Sequence, residues 1–459
     1  MPADSMSLRQ HRRFPARTSV PRSRLSIPVR LILLAEVLLV ARLTVLQRRR
    51  EDFTAIDAFA MVEIVIVAAI GLLLALQSGQ LWRLWQRIAA TSGKVLLAFF
   101  ALALVSAAWS ELPKYSAFRA GEFAVLSLGF LVAVASARTF AHAERLILVL
   151  GMLALGLAAF SIVLSRGGAS FELHNNTVGA SAVILTCYAV GEALRAERRR
   201  RRNLVVLSAI SAALTLASQS LASWWSLFIG VGVAFLLSKS ARGGFVLVVV
   251  VLGLAVALVG AERFEPVVDP YGQTEEAGKL ETFTGRKLLW EGYEKVFKAS
   301  PWLGVGYAVA ARTAGPVYAT NTHNAAWAVL LGTGVVGMTI VVIAALFGLR
   351  EALSACAAGR TGAVGATAAL VAGSANSMSL SLFGEGWGVA SFVFMLFYAF
   401  HLCAVARPQW VGRVEQQATR AASRRDSWKN RSRKRGQLAP TYTVPPPPAS
   451  AQPPPPSAP

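Results

Sequence analysis

Hydrophobic segments of bilayer-spanning length dominate this 459-residue chain and limit what it can fold into. An α-helix needs about 20 mostly apolar residues to cross the hydrocarbon core of a membrane. Segments of about this length recur at 28–46, 55–77, 94–109, 119–136, 146–164, 177–194, 204–219, 221–238, 244–260, 323–348, 361–382 and 387–406. Hydrophobic residues make up 55% of the chain and charged residues only 15%, which excludes an ordinary soluble domain. We therefore predict an all-α integral membrane protein with about twelve transmembrane helices.

The charged residues concentrate in short basic runs beside the hydrophobic segments. Lys and Arg number 46 against 24 Asp and Glu, so the formal net charge is +22. Such an excess can indicate a nucleic-acid partner, but runs such as Arg198–Arg202 flank predicted membrane helices, where they anchor topology and contact lipid headgroups. Because Lys and Arg collect in cytoplasmic loops, we predict cytoplasmic termini and no nucleic-acid partner. The run Gln47–Arg50 would lie outside and disagrees with this rule.

Composition divides the chain into three parts. Residues 1–27 form a basic cytoplasmic tail, and residues 28–406 form a polytopic membrane domain. Residues 407–459 are basic and then Pro-rich, a composition that predicts a disordered cytoplasmic tail. One long polar stretch, 261–322, interrupts the membrane domain, and the charge pattern places it on the extracytoplasmic side.

The long outer stretch contains a predicted amphipathic helix from about Gly285 to Ala299. Tyr293, Val296 and Phe297 fall on one face at helical spacing, and charged residues occupy the other face. Pro301 predicts the end of this helix, because a proline disfavours helical geometry in the residue before it.

Two residues in or next to this stretch are the strongest candidates for chemistry. His323 is predicted at the start of a membrane helix, where free amides and the helix dipole favour anions; the alternative is a polar helix cap. Arg286 can grip a phosphate through two parallel hydrogen bonds; the alternative is an arginine that reaches for lipid headgroups. Lys287 and Arg312 are weaker candidates of the same kind.

Further polar residues lie in other predicted outer loops and inside the membrane segments. Glu172–Asn176 and Ser218–Ser220 could hydrogen-bond a sugar or a phosphate, or could be ordinary loops. The acids Glu36, Glu63 and Glu122 fall in or near predicted spans, where ionisable residues are functional candidates. The sequence shows no evident partner for any of the three.

The pattern Gly332-x-Gly334-x-x-Gly337 matches a dinucleotide-binding fingerprint by its letters. It lies inside an apolar segment without a preceding strand, which argues against a nucleotide site. We interpret it as close helix packing through small residues.

Four local patterns occur together in an order that is typical of one group of bacterial membrane enzymes. They are Trp109-Ser110…Pro113, Phe171…His174-Asn175-Asn176…Gly179, Gly285-Arg286…Trp290…Pro301…Gly304-x-Gly306 and His323-Asn324…Gly334-x-x-Gly337. Over roughly residues 95–400 the chain therefore resembles the O-antigen ligase/polymerase superfamily, the Wzy-type bacterial polysaccharide polymerases and ligases.

This resemblance implies a GT-C-like membrane glycosyltransferase that transfers or polymerises glycan repeat units from a polyprenyl-diphosphate carrier at the outer face of the bacterial cytoplasmic membrane. Its implied partners are the polyprenyl-diphosphate-linked glycan, a glycan or lipid acceptor, membrane lipids, and a flippase or chain-length regulator. Arg286 and His323 become the catalytic candidates, and no metal or other cofactor is expected. The implied substrate-binding residues are His174, Asn176, Ser220, Lys287, Trp290, Gly304, Gly306, Arg312 and Asn324.

The chain departs from the family pattern at one joint. Many members carry Arg or Lys directly after a Ser-x-Ser sequence, whereas Leu221 follows Ser218–Ser220 here. If that cation shares the charge of the diphosphate, then Arg166, Lys287 or Arg312 has to replace it in this chain.

The resemblance leaves several functions open. The Trp109–Ser110 and His174–Asn176 patterns resemble the polymerase branch, so we favour a polymerase over a ligase that attaches a finished glycan to a lipid or protein. A transporter would show related halves or broken helices around a midplane site, and no internal repeat is evident. A non-catalytic membrane scaffold is the third alternative, and Leu221 is the reason to consider it.

Overall fold

The computed structural model describes residues 25–45, 58–79, 81–82, 86, 92–137, 139–166, 175–238, 286–313, 322–384 and 388–406. All regular secondary structure within these residues is helical, which confirms the predicted all-α class for this part of the chain. The tail beyond residue 406, nearly all of the N-terminal tail and the run Gln47–Arg50 lie outside the described residues. So do the predicted segment 244–260 and residues 261–285 of the long polar stretch.

The apolar segments form helices because a helix satisfies its own backbone hydrogen bonds in lipid. In chain order these are α1 (Ile27–Val45), α2 (Ala58–Leu76), α3 (Ser92–Val105, continued by a 3₁₀ turn at Ser106–Trp109), α4 (Pro113–Ala135), α5 (Phe140–Arg166), α6 (Asn175–Ala193), α7 (Arg198–Ala217), α8 (Leu221–Leu237), α9 (Arg286–Ala299), α10 (Ala310–Thr313), α11 (Ala325–Ala357), α12 (Ala363–Asn376) and α13 (Val389–Ala406). Each predicted hydrophobic segment except 244–260 coincides with one of these helices.

Length and composition identify the membrane-crossing candidates among the described helices. Five are long and apolar enough to span a bilayer: α2, α3 with its 3₁₀ turn, α4, α5 and α11. The apolar helices α8, α12 and α13 are shorter. The described residues therefore support a multi-spanning protein, and the predicted count of about twelve spans stays a prediction.

Polar contacts join several helices at one end of the array, which we call the basic end. Arg200 at the start of α7 pairs with Glu144 of α5 at 2.5 Å and with Glu192 of α6 at 2.6 Å. The Glu192 carboxylate also accepts hydrogen bonds from the backbone amides of Gly362 and Gly365, at 3.2 Å each. The basic loops before α5, α7 and α12, which the charge rule places on one side of the membrane, therefore lie at one end of the helices.

The predicted amphipathic helix in the polar stretch is confirmed as α9. Its apolar face packs on the first turns of α11, with the rings of Tyr293 and Phe297 each 6.4 Å from the Trp327 ring. On its exposed face Glu294 and Lys298 form a 2.7 Å ion pair, and the hydrogen bond from Lys298 lowers the pKa of Glu294. Helix α9 therefore lies against the start of α11.

Helix α11 is broken at Gly334, which the sequence did not predict. Gly334 has φ 65° and ψ −166°, a conformation that is essentially restricted to glycine. The break frees carbonyls before Gly334 and amides after it, and buried backbone groups of this kind need new partners. The Gly-x-Gly-x-x-Gly pattern is thus only in part a packing surface for a helix: Gly337 approaches Leu102 of α3, whereas Gly332 and Gly334 approach a loop.

Candidate active site

His323 lies on a tight turn that starts α11. Its φ of 54° falls in the left-handed region, which non-glycine residues seldom adopt. The neighbouring Thr322 hydroxyl donates to the backbone carbonyl of Asn324 at 2.9 Å and lies 2.9 Å from the Ser381 hydroxyl. Thr322 and Asn324 are buried, whereas His323 is half-buried. The turn therefore keeps the imidazole at a partly accessible position, and strain of this kind is common at functional sites.

Asn324 caps α11. Its side-chain oxygen accepts hydrogen bonds from the amides of Ala326 at 2.8 Å and Trp327 at 3.2 Å, which satisfies two of the free donors at the helix start. Its side-chain nitrogen donates to the backbone carbonyl of Met378 at 3.1 Å. Both polar atoms of the amide are thus engaged within the protein. The structure gives Asn324 a positioning role, and substrate contact by Asn324 stays a prediction.

The end of α12 connects the His323 turn to the serine joint between α7 and α8. On one side the backbone carbonyl of Ser377 accepts a hydrogen bond from the amide of Ala325 at 2.8 Å. On the other side the Asn376 side chain donates to the Ser223 hydroxyl at 2.9 Å, and Ser223 donates in turn to the Ser220 hydroxyl at 3.0 Å. Ser220 also caps α8 and is buried. Ser220 and His323, far apart in sequence, therefore belong to one end of the array, the His323 end.

The start of α6 belongs to the same end. Asn176 is half-buried in the first turn of α6. One turn later, Gly179 lies so close to α8 that a Cβ atom there would be 2.5 Å from the hydroxyls of Ser218 and Ser223. Asn176 is thereby placed near the serine joint, whereas His174 lies outside the described residues.

The loop Pro301–Gly306 docks into the break of α11. Four backbone hydrogen bonds join them and occupy the groups that the break frees. They run from the Val305 amide to Leu331 O (2.8 Å), from the Gly306 amide to Gly332 O (3.1 Å), from the Val335 amide to Pro301 O (2.8 Å) and from the Val336 amide to Trp302 O (3.2 Å). The loop thus replaces one turn of helix with contacts between distant segments.

The two predicted glycines of this loop allow its close approach to the helix. Gly304 and Gly306 have φ of 67° and 107°. A Cβ atom on Gly304 would lie 2.6 Å from the carbonyl carbon of Gly332, and one on Gly306 would lie 2.5 Å from the Cβ atom of Ser110. Both glycines are buried, so the structure assigns them a backbone-packing role, and their contact with substrate stays a prediction.

The 3₁₀ turn after α3 holds the same loop from the other side. The Trp109 indole donates to the backbone carbonyl of Leu303 at 3.2 Å. The Ser106 hydroxyl accepts from the amide of Tyr307 at 2.9 Å. Two sequence patterns separated by almost two hundred residues, Trp109–Ser110 and Pro301–Gly306, are therefore parts of one structural unit with the break in α11.

Arg312 lies beside the start of α4. Its guanidinium carbon is 4.5 Å from the centre of the Tyr115 ring, a cation–π contact, and the side chain is half-buried. The Tyr115 hydroxyl accepts a hydrogen bond from Arg119 at 3.3 Å. Two arginines thus contact one tyrosine at the His323 end, and of these two only Arg312 is a candidate from the sequence.

Buried ion pairs surround Arg119. Its guanidinium lies 2.5 Å from Glu63 of α2 and 2.7 Å from Glu122 of α4. Glu63 also pairs with Arg42 of α1 at 2.7 Å. Glu63 and Glu122, for which the sequence shows no evident partner, are therefore both paired. Arg119 lies on the same helix as Glu122, and tertiary packing brings Arg42 and Arg119 to Glu63. The i,i+3 spacing of Arg119 and Glu122 was the one local signal that could have indicated this.

Glu36 differs from those two acids. It is fully buried on α1, and neither carboxylate oxygen has a hydrogen-bond partner among the described residues. The nearest approach is from Gly129, where a Cβ atom would lie 2.6 Å from one carboxylate oxygen. Helix α4 therefore passes directly against this acid.

The remaining predicted residues lie on α9. Arg286 and Lys287 are its first two residues, and their side chains lie outside the described part of the chain. Trp290 packs on the cluster formed by Tyr293, Ala310 and Leu331. Because α9 rests on the first turns of α11, it begins at Arg286 within the same structural unit that contains the His323 turn.

A comparison with known families matches part of this unit. Residues 205–342 match the family model for O-antigen ligase. This match supports the resemblance of the chain to the O-antigen ligase/polymerase superfamily. No match was found among curated proteins. The similarity to this membrane family and the long apolar helices together indicate a membrane protein.

The O-antigen ligase match extends from α7 into α11 and leaves two of the predicted patterns outside it. These patterns nevertheless contact matched residues in the structure. Ser110 lies against Gly306, and Gly179 lies against Ser223. Helices α3 and α6 therefore pack against the matched part of the chain.

Proposed function

We propose that this chain is a member of the O-antigen ligase/polymerase superfamily and a glycosyltransferase that moves glycan units from a polyprenyl-diphosphate carrier to an acceptor hydroxyl. The reaction would take place at the outer face of the bacterial cytoplasmic membrane, with the His323 end outside and both termini in the cytoplasm. The observation that carries this proposal is the constrained, half-buried His323 at the N-terminus of α11, beside a helix that begins at Arg286.

In the proposed reaction the acceptor hydroxyl oxygen attacks the anomeric carbon of the donor sugar. The bond from that carbon to the diphosphate oxygen breaks, and the diphosphate leaves with the bonding electrons. Arg286, together with the backbone amides at the start of α9, stabilises the charge that develops on the diphosphate. His323 either takes the proton of the acceptor hydroxyl or donates a hydrogen bond to the phosphate.

Arg312 is the best candidate among the described residues for the cation that Leu221 does not supply. Leu221 is 45% exposed at the start of α8. Arg119 is buried and occupied by Glu63 and Glu122, so its charge is already balanced. Arg312 is half-buried against Tyr115, a position from which a guanidinium can still reach a bound anion.

Substitutions in cells test the assignment. Arg286→Ala and His323→Ala should abolish surface polymer without preventing membrane insertion. Arg350→Ala and His142→Ala, on residues of the same types in α11 and α5 away from the His323 end, are matched controls and should leave the polymer normal. Normal polymer from both site variants would refute the catalytic roles.

The analysis of glycans from a deletion strain separates the two reactions of this superfamily. We favour the polymerase, which predicts that deletion leaves single repeat units without long chains. A ligase instead predicts full-length polymer that is not attached to its acceptor.

A transporter is the alternative from another class, and the broken α11 is the feature that would suit it. In transporters the backbone groups freed by such a break face a substrate cavity. Here the loop Pro301–Gly306 occupies four of these groups. A flux assay in vesicles that showed glycan-independent transport would support this alternative.

A further inference from the structure

Helix α12 connects the two ends of the helix array. It has 14 residues, so at a rise of 1.5 Å per residue it is about 21 Å long. At the His323 end, the hydrogen bonds of Asn376 and Ser377 join it to the serine joint and to the first turn of α11. At the basic end, its first amides face the carboxylate of Glu192 on α6. A displacement of α12 along its axis would therefore reach the His323 turn.

Glu192 takes the place of a cap residue for α12. The helix begins after Gly362, which has no side chain to accept hydrogen bonds from the free amides of the first turn. The carboxylate of Glu192 accepts from the amides of Gly362 and Gly365, and its negative charge suits the positive end of the helix dipole. Both hydrogen bonds are buried, so these two amides depend on a carboxylate from another helix.

Small residues on α12 allow close packing but do little to fix the helix along its axis. A Cβ atom on Gly191 of α6 would lie 2.7 Å from the Cα atom of Gly365. A Cβ atom on Gly230 of α8 would lie 2.7 Å from the Cβ atom of Ala372. Helices interlock through ridges of side chains, and Gly and Ala form only low ridges. The hydrogen bonds at its two ends therefore determine the position of α12 along its axis.

A second acid at the basic end separates the capping of α12 from ion pairing. Arg200 pairs with both Glu144 and Glu192. Glu144 has the larger share of this arginine, because Arg200 donates to it through both Nε and Nη2. Glu144 also accepts a hydrogen bond from the Tyr188 hydroxyl at 3.0 Å. These bonds of Glu144 run to α6 and α7, whereas two of the bonds of Glu192 run to α12.

We infer that Glu192 is a positioning residue for the transfer reaction. By capping α12 it fixes where this helix ends, and the end of α12 holds the His323 turn. The inference rests on the proposed function for the catalytic role of His323. It assigns a part in the reaction to a side chain at the opposite end of the helix array, separated from the His323 turn by the length of α12.

Glu192→Gln and Glu144→Gln form a matched pair that tests this inference. Oε1 of Glu192 accepts from Gly365 and Oε2 accepts from Gly362, so either orientation of the new amide loses one bond to α12. Glu144→Gln weakens the ion pair with Arg200 by the same chemical change and leaves the cap of α12 in place. Both variants are purified in nanodiscs and assayed with an undecaprenyl-diphosphate-linked donor.

We expect Glu192→Gln to lower kcat by about tenfold and to leave KM for the donor unchanged, because the shifted turn misplaces a group that acts in the transition state. Glu144→Gln should change neither value. Rates are expressed per folded protein, so that a loss of stability alone changes neither kcat nor KM. Equal effects of the two substitutions, or no effect of Glu192→Gln, would overturn the inference.

A double-mutant cycle shows whether the effect passes through α12. Asn376→Ala removes the hydrogen bond between the far end of α12 and Ser223. Substitutions this far apart normally act independently, so their effects on kcat multiply. If both act by displacing α12, the double variant Glu192→Gln/Asn376→Ala should lie within about twofold of the slower single variant. A fully multiplicative loss would overturn the inference.

Amide exchange at the His323 turn is a readout that does not depend on activity. The Ala325 amide donates to Ser377 at the end of α12. Glu192→Gln should speed its exchange by about two- to tenfold, the equivalent of one hydrogen bond, and Glu144→Gln should not. Glu192→Asp keeps the charge on a shorter side chain and provides the same comparison if Glu192→Gln does not fold.

Unchanged exchange at Ala325 in the Glu192 variants would overturn the inference. Faster exchange in these variants, together with a wild-type protein that is inactive with every lipid-linked donor, would instead reject the proposed function. It would leave the coupling of Glu192 to the His323 turn standing.

Discussion

The break at Gly334 should tolerate no side chain. In Gly334→Ala the new Cβ atom would overlap the backbone of Trp302, and alanine disfavours the φ and ψ angles found there. If the loop Pro301–Gly306 stays in place, the backbone conformation alone costs about 1–3 kcal/mol. If α11 straightens instead, the four hydrogen bonds to the loop are lost, at about 0.5–1.5 kcal/mol each. The hydrogen bonds that then form within α11 offset part of this cost.

We expect α11 to straighten, which releases the loop and leaves the other helices folded. The net cost of this change is about 2–4 kcal/mol. At 1.4 kcal/mol per tenfold change, this corresponds to amide exchange about thirty to several hundred times faster in the loop. Hydrogen–deuterium exchange with mass spectrometry on the protein in nanodiscs measures this directly. The affected peptides should cover Pro301–Gly306 and the amides of Val335 and Val336.

Gly156→Ala on α5 is the matched control, because a Cβ atom at Gly156 meets no atom within 4 Å. It should leave exchange in the loop unchanged and should slightly favour its helix. Unchanged exchange of the loop in Gly334→Ala would refute the account of how the loop and the broken helix depend on each other.

Three further substitutions test other parts of the structure by thermal unfolding in nanodiscs. Asn324→Ala should destabilise the protein by about 2 kcal/mol, because the helix cap and the hydrogen bond to Met378 are both lost. Asn203→Ala, on an exposed face of α7, is the control and should not destabilise it. Equal stability of the two variants would contradict the capping role of Asn324. Arg119→Leu leaves Glu63 and Glu122 buried without this cation and should cost about 3–5 kcal/mol; a protein as stable as the wild type would show that these ion pairs are not formed. Glu36→Met should stabilise the protein by about 1–3 kcal/mol, because it removes a buried carboxyl that has no hydrogen-bond partner among the described residues. A loss of stability would show that Glu36 has a favourable contact elsewhere.

Local sequence signals predicted the helices well. Hydrophobic length located the membrane helices, and helical spacing located α9 to within one residue. These properties are local, because a helix satisfies its hydrogen bonds within its own segment. The preference of asparagine for helix starts could also have predicted the cap at Asn324.

Contacts between distant segments could not be predicted in this way. The pairing of Glu63 with Arg42 and Arg119 depends on which faces of α1, α2 and α4 meet. The docking of Gly304 into the break of α11 depends on backbone hydrogen bonds, which the types of side chain in the sequence do not indicate. The order of sequence patterns indicated that these segments act together, and their geometry came only from the structure.

The sequence predicted only in part that the polar loops meet at one end of the helices. The charge rule placed the serine joint and the His323 turn on one side of the membrane. It did not identify the end of α12, where Asn376 and Ser377 connect them. Both residues are ordinary in the sequence, and only their position between two other helices gives them this role.

The most direct test of the central claim is glycosyl transfer by the purified protein. The wild-type protein in nanodiscs should extend or attach glycan from an undecaprenyl-diphosphate donor. Arg286→Ala and His323→Ala should each reduce the rate by about a hundredfold or more, which is typical for loss of a group that stabilises developing charge. Arg350→Ala and His142→Ala should retain the wild-type rate. Wild-type rates in both site variants, or no transfer by the wild-type protein with any lipid-linked donor, would contradict the account.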